Sequence, residues 1–340
     1  MTLSTREAAA MLRAADPVPY AGAGLDRRAE ADLQRILASV TADLAPRTQS
    51  RRPRSRLLAA AAATVVAISL AGVASSSLGL LPAGSPAYAA TPDQLIVVAP
   101  VSAAGLPVDA DAAAVLTAIA ARVAVLPDDT GSGRYARMES DDWALWTSVD
   151  GDQVTSEVVP QRSTVWAARD GSGRVVARRD GPGSDTSTTD RDLAPGERSF
   201  MWPLGSLSSN DAELARQLEQ GHPVGNGPAE RLVAVTDLAA EQPLTPPVRA
   251  AVLRYLARTP ALAVDGIVAD RAGRRGVAVH IDTTMSGLPE RRTLIVDPDD
   301  GQVLGAETLL TQDAGMLNVP IPSVISYTTF RSAQYTDGQK

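Results

Sequence analysis

The sequence predicts an α+β protein: a single transmembrane helix followed by an extracytoplasmic domain of antiparallel sheet with helices packed on one face. Three observations predict it. Residues 57–81 (LLAAAAATVVAISLAGVASSSLGLL) form an uncharged apolar run directly after Arg51, Arg52, Arg54 and Arg56. Residues 110–330 alternate between stretches of helical period and short strand-like runs. The strand-like runs follow one another across Gly, Asp and Pro turns, giving the order helix, strands, helices, strands, which suits segregated layers rather than βαβ units.

In chain order, residues 1–56 form a cytoplasmic arm. Ser4-Thr5-Arg6-Glu7 is a capping-box pattern before a short helix that stops at Asp16-Pro17. After a Pro/Gly/Ala linker comes LDRRAEADLQRILASVTADL, an amphipathic helix ended by Pro46. Its stripe of Leu33, Ile36, Leu37, Val40 and Leu44 needs a surface to lie on, because an isolated helix of this length is marginal in water. Three surfaces fit: another copy of the arm, the bilayer, or a cytosolic regulatory protein that grips the stripe.

Residues 57–81 then cross the membrane. About 25 helical residues span roughly 37 Å, enough for a hydrocarbon core of about 30 Å with some tilt. The arginines on the N-terminal flank fix that side in the cytoplasm. The expected location is therefore the cell membrane, single-pass, with the C-terminal domain outside. Ala87-Tyr88-Ala89 has the small-x-small form of a signal-peptidase site. The length of the apolar run, and the arm before it, favour a retained anchor.

Residues 82–109 read as a juxtamembrane linker, rich in Pro, Ala, Gly and Ser. Asp109 or Asp111 caps a helix whose stripe is Val115, Leu116, Ile119, Ala120 and Val123. From Gly131 the period shortens. Strands are expected at 133–139, 143–149, 152–159, 163–169 and 174–178, separated by Asp141-Asp142, Asp150-Gly151, Pro160 and Asp170-Gly171-Ser172-Gly173. A loop is expected over 180–196. Asn210 caps a helix ending at Gly221, a second helix starts near Pro228, and Thr245-Pro246 opens a third. Two hairpins follow, turning at Asp270-Arg271-Ala272-Gly273 and Pro298-Asp299-Asp300-Gly301. Residues 331–340 read as a polar tail.

Composition narrows the chemistry. The net charge is −7, with ten Arg and six acids in residues 1–56, so the arm is +4 and the remainder −11. A basic arm suits anionic inner-leaflet lipid, and an acidic outer body argues against nucleic acid. The absence of cysteine removes thiol nucleophiles, disulfides and Cys-based zinc sites. Only His222 and His280 could act as imidazole bases. His222 reads as a surface or cap residue at a helix end, and His280 as a packed or solvated strand residue. No hydrolase, zincin or phosphate-loop pattern is present, so no enzyme, cofactor or metal is expected. The Asp297–Gly301 turn departs from calcium-loop spacing and reads as a hairpin. Trp143, Trp146 and Trp166 fall in the predicted meander. They suit either core packing or the lining of a groove for an apolar envelope ligand.

The combination of a DPVP-containing arm, an Arg-flanked Ala-rich crossing, PAYAATP, LTPPVRAAVLRYLARTPALAVDGIVADRAGRRGVAV and RRTLIVDPDDGQVLGAETLL resembles an uncharacterised family of actinobacterial single-pass membrane proteins. Members are often encoded beside extracytoplasmic-function sigma factors. The resemblance implies an envelope location and, through gene neighbourhood, a regulatory link to a cytosolic sigma factor. It supplies no activity and no functional residues. The arm lacks the His/Cys pattern of many zinc-containing anti-sigma domains.

Overall fold

A computed structural model describes residues 91–150, 153–180 and 186–339. The arm, its stripe Leu33, Ile36, Leu37, Val40 and Leu44, and the apolar run 57–81 lie outside the described residues. Among those described, no helix is long and apolar enough to cross a membrane.

The described chain begins with β1 (Val97–Ala99), a 3-10 turn at Val101–Ala104, and α1 (Ala112–Val123). Four long strands follow: β2 (Tyr135–Asp150), β3 (Gln153–Ala167), β4 (Gly173–Asp180) and β5 (Thr186–Leu193). Next come α2 (Asp211–Gly221), α3 (Glu230–Glu241) and α4 (Pro246–Ala257). Five strands complete it: β6 (Ala263–Ala269), β7 (Arg275–Thr283), β8 (Glu290–Val296), β9 (Val303–Leu310) and β10 (Ser323–Thr336). These ten strands form one sheet in the order β1-β6-β7-β8-β9-β10-β2-β3-β4-β5. Every pairing is antiparallel. The expected α+β class is what the fold shows.

Local chemistry sets the helix starts. The Asp111 carboxylate accepts the Ala114 amide at 2.8 Å, and the Asn210 side chain accepts those of Ala212 and Glu213, both at 3.1 Å. α4 instead opens on Pro246, whose fixed φ and missing N–H suit a first turn. The apolar stripes then meet the sheet. Leu116 and Ile119 of α1 and Leu253 and Leu256 of α4 pack with Val277, Val279, Leu294 and Val296. Fully burying each such side chain contributes about 1.5–3 kcal/mol. The alternate strand residues Val268, Ala278, Ile295 and Leu304 form a smaller cluster of their own, covered by Leu95. This is the two-residue period of strands.

Five sequence expectations need correction. Residues 91–109 are not linker: Leu95 packs on the sheet, and β1 pairs with β6 at Val97↔Val268. The supposed tail at 331–336 continues β10, which sits mid-sheet between β9 and β2. The loop expected over 180–196 contains β5, an exposed edge strand whose TSTTDRDL sequence suits solvent and discourages further pairing. Asp141-Asp142 is no turn, because both carboxylates are satisfied within β2. Asp141 takes Arg162 directly across the ladder at 2.6 Å, and Asp142 accepts the Ser140 and Thr328 hydroxyls. Pro160 likewise lies inside β3, one residue beyond the last β3–β4 pair at Gln161↔Arg179, where a missing donor is tolerated.

Candidate ligand-binding cleft

A cavity of about 300 Å³ opens where the loop after α1, the end of β3, residues 204–207, the α3–α4 connection and the end of β10 converge. That volume is at the small end of the roughly 300–1,000 Å³ typical of ligand sites. Buried polar side chains hold its walls. Arg249 of α4, only 4 % exposed, grips Asp129 with both terminal nitrogens at 2.9 and 2.7 Å. It also donates to the Leu244 carbonyl at 3.1 Å, which ties the post-α1 loop to the start of α4. Buried Gln242 accepts the Gly205 amide at 2.8 Å and donates to the Trp202 carbonyl at 3.2 Å. The far wall is pinned by the Tyr335 amide, which donates to the Thr130 carbonyl at 2.7 Å. A cleft fixed this way is preorganised, so a ligand need not order it.

Its surfaces differ in chemistry. Leu207, Leu244 and Val248 add apolar side chains to the lining, and Arg134, Arg169 and the Tyr335 hydroxyl add polar ones. Burial pushes the Tyr335 phenol upward, so it stays a neutral donor at physiological pH. Asp128 is a carboxylate on this wall, and its Oδ1 is occupied by the Thr130 amide and hydroxyl at 2.9 and 2.7 Å. Those two hydrogen bonds hold its pKa below the usual range.

The residues singled out from sequence lie elsewhere. Trp143 is 1 % exposed and stacks on Tyr327 with 6.3 Å between ring centroids. Trp166 is 5 % exposed and lies under the Arg137 guanidinium. Neither offers a free face to an apolar ligand, so packing replaces the groove reading for both. Trp146 lies on β2, and its side chain is outside the description.

His222 caps the C-terminus of α2, its amide bonding the Leu218 carbonyl, but it is not at the surface. It is 2 % exposed, with Nδ1 2.7 Å from Glu230 and Nε2 3.3 Å from Asp237, and its ring stacks against Trp202. Burial opposes charge on the ring, but the two carboxylates outweigh it and raise the pKa. Through the Nδ1 bond to Glu230, with Asp237 in ion-pair range of Nε2, His222 joins the end of α2 to α3. His280 binds Asp265 Oδ2 at 2.9 Å in half-buried surroundings. The Asp297–Gly301 stretch is the expected hairpin turn, its Asp297 Oδ1 accepting the Asp299 and Asp300 amides.

Arg169, Gln242 and Tyr335 were not singled out by sequence reasoning. They stand far apart in the chain and match no motif; the local hint was Gln242 between two helices, just before Pro243. Comparison with protein-family models, curated proteins and solved structures finds no match.

Proposed function

We propose that this chain is a single-pass membrane protein of the bacterial envelope with a non-enzymatic, sensing role. Its outer domain binds a small ligand in the cleft, and its inner arm engages a cytosolic partner, a sigma factor by resemblance. The observation that carries the binding half is the cleft itself: distant segments are fixed around an open volume by Arg249 and Gln242 rather than packed shut. The anchor rests on the apolar run 57–81 with its arginine flank, and the partner on the stripe in the arm. A carrier for an apolar envelope ligand is the weaker reading, because Trp143 and Trp166 are already packed.

The regulatory half is tested with the full-length tagged chain, solubilised from membranes. It is expected to co-purify a sigma factor, and Leu37→Asp is expected to abolish recovery by placing a charge in the stripe. Recovery of no sigma factor, or equal recovery with Leu37→Asp, would remove that half.

A further inference from the structure

The reading of the cleft as a binding site can be taken further, to the class of ligand. Arginines along the sheet are mostly committed to acids. Arg162 pairs with Asp141, Arg174 with Asp190, Arg271 with Glu307, Arg274 with Asp270, Arg291 with Asp282, and Arg292 with Glu290. Arg169 differs: it is exposed at the cleft and has no acid partner among the described residues. Its Nη2 and the Tyr335 hydroxyl converge on one spot above Gly205. A Cβ placed there would lie 3.2 Å from Arg169 Nη2 and 3.7 Å from Tyr335 Oη. Gly205 has φ +71°, a left-handed conformation that favours glycine, and the missing side chain leaves this spot open.

Arg134 adds a second guanidinium to the lining. Its nearest acid is Asp170, 3.9 Å away, too far for a hydrogen bond. Asp128 in the lining and Asp170 beside Arg134 together balance the two guanidinium charges, so the pull on an anion comes from Arg169, which no acid pairs among the described residues. The same lining carries the apolar side chains of Leu207, Leu244 and Val248.

We propose that the cleft binds a small organic anion. Its carboxylate or phosphate group sits between the Arg169 guanidinium and the Tyr335 hydroxyl, and its apolar body lies on Leu207, Leu244 and Val248. A planar guanidinium matches either acid group with two parallel hydrogen bonds, and such charge-assisted bonds exceed neutral ones in strength. A bare inorganic anion would leave the apolar surface unused. A neutral isostere would leave Arg169 without a counter-charge. The requirement is therefore for both parts in one molecule. This inference rests on the cleft being a binding site at all.

The test uses the full chain in phosphatidylcholine nanodiscs, with empty discs as control. Calorimetry compares phenylacetate and phenyl phosphate with neutral 2-phenylethanol and cationic phenethylamine. The two anions are expected to bind at least about tenfold more tightly than the alcohol. Arg169→Gln is expected to remove about tenfold of that, and Tyr335→Phe a smaller share. Both side chains lie at the cleft surface, so the fold should survive either change. Val248→Trp, which fills the apolar side, should weaken every probe that binds there.

If the alcohol binds as well as phenylacetate, Arg169→Gln changes nothing and Val248→Trp blocks both, the anion inference is overturned while the cleft remains a binding site. If none of the four probes binds, both fall. Nanodiscs doped with phosphatidylglycerol separate the sources of a natural ligand. Competition with phenylacetate identifies a lipid headgroup, and its absence identifies a soluble anion; either supports the proposal.

Discussion

Replacing Arg271 with methionine is expected to destabilise the domain by about 3–5 kcal/mol near about pH 7, because it strands a buried carboxylate. Arg271 sits in the β6–β7 turn and reaches across the sheet to Glu307 of β9, with bonds of 2.7 and 2.9 Å to its two carboxylate oxygens. Glu307 is 7 % exposed, and the guanidinium also lies 4.9 Å from the centre of the Tyr327 ring. Burial already raises the Glu307 pKa, with the Arg271 bonds holding it back; without Arg271 it rises further. The sign of the pH dependence follows. An acid whose folded pKa is raised costs stability when ionised, and that cost fades as pH falls through the folded value. The variant should therefore recover much of the loss at about pH 5, whereas loss of packing alone would be insensitive to pH. Denaturant unfolding at both pH values measures this; an equal deficit at each would show that the ion pair is not the cause.

Gly173→Ala is expected to destabilise by on the order of 3 kcal/mol or more, since backbone rather than a movable side chain blocks the new atom. Gly173 opens β4 and pairs with Ala167 on one side and Leu193 on the other. A Cβ there would overlap the Trp166 carbonyl oxygen. The only escape is to open the β3–β4 hairpin. Gly225→Ala serves as control, because nothing lies within 4 Å of a Cβ at that position. It should change unfolding by no more than about 0.5 kcal/mol. Similar midpoints for the two variants would mean that the turn is not built as described.

Where structure is set locally, the sequence was readable. Asp111, Asn210 and Pro246 start their helices because caps and first-turn proline act over three or four residues. The hairpins at Asp270–Gly273 and Asp297–Gly301 follow from side chains that bind their own backbone two residues on. The reading failed where polar residues are satisfied across strands. The last part of β10, residues 331–336, reads as a tail because Arg331, Ser332, Gln334 and Thr336 are polar. Within the sheet, Ser326 bonds Thr308, Thr328 bonds Asp142, and Ser332 bonds Glu139. Hydrophobic patterning cannot register a partner nearly two hundred positions away. The same holds for the cleft: Arg169, Gln242 and Tyr335 acquire meaning only once β3, the α3–α4 connection and β10 are brought together. The capping place of His222 is local and legible, but its burial is not, because Trp202 and the acids of α3 cover it and none of them is its close neighbour in sequence.

The central claim is that a membrane crossing places this cleft-bearing domain outside the cell and the arm inside. The absence of cysteine makes it directly measurable, since any thiol introduced is unique. Val125, 83 % exposed at the end of α1, and Ser4, in the arm, are each changed to cysteine in otherwise unaltered chains. Intact cells are then treated with a membrane-impermeant maleimide. The expected result is labelling of Val125→Cys on intact cells and of Ser4→Cys only after permeabilisation. Protection of Val125→Cys until the cells are opened would contradict the account.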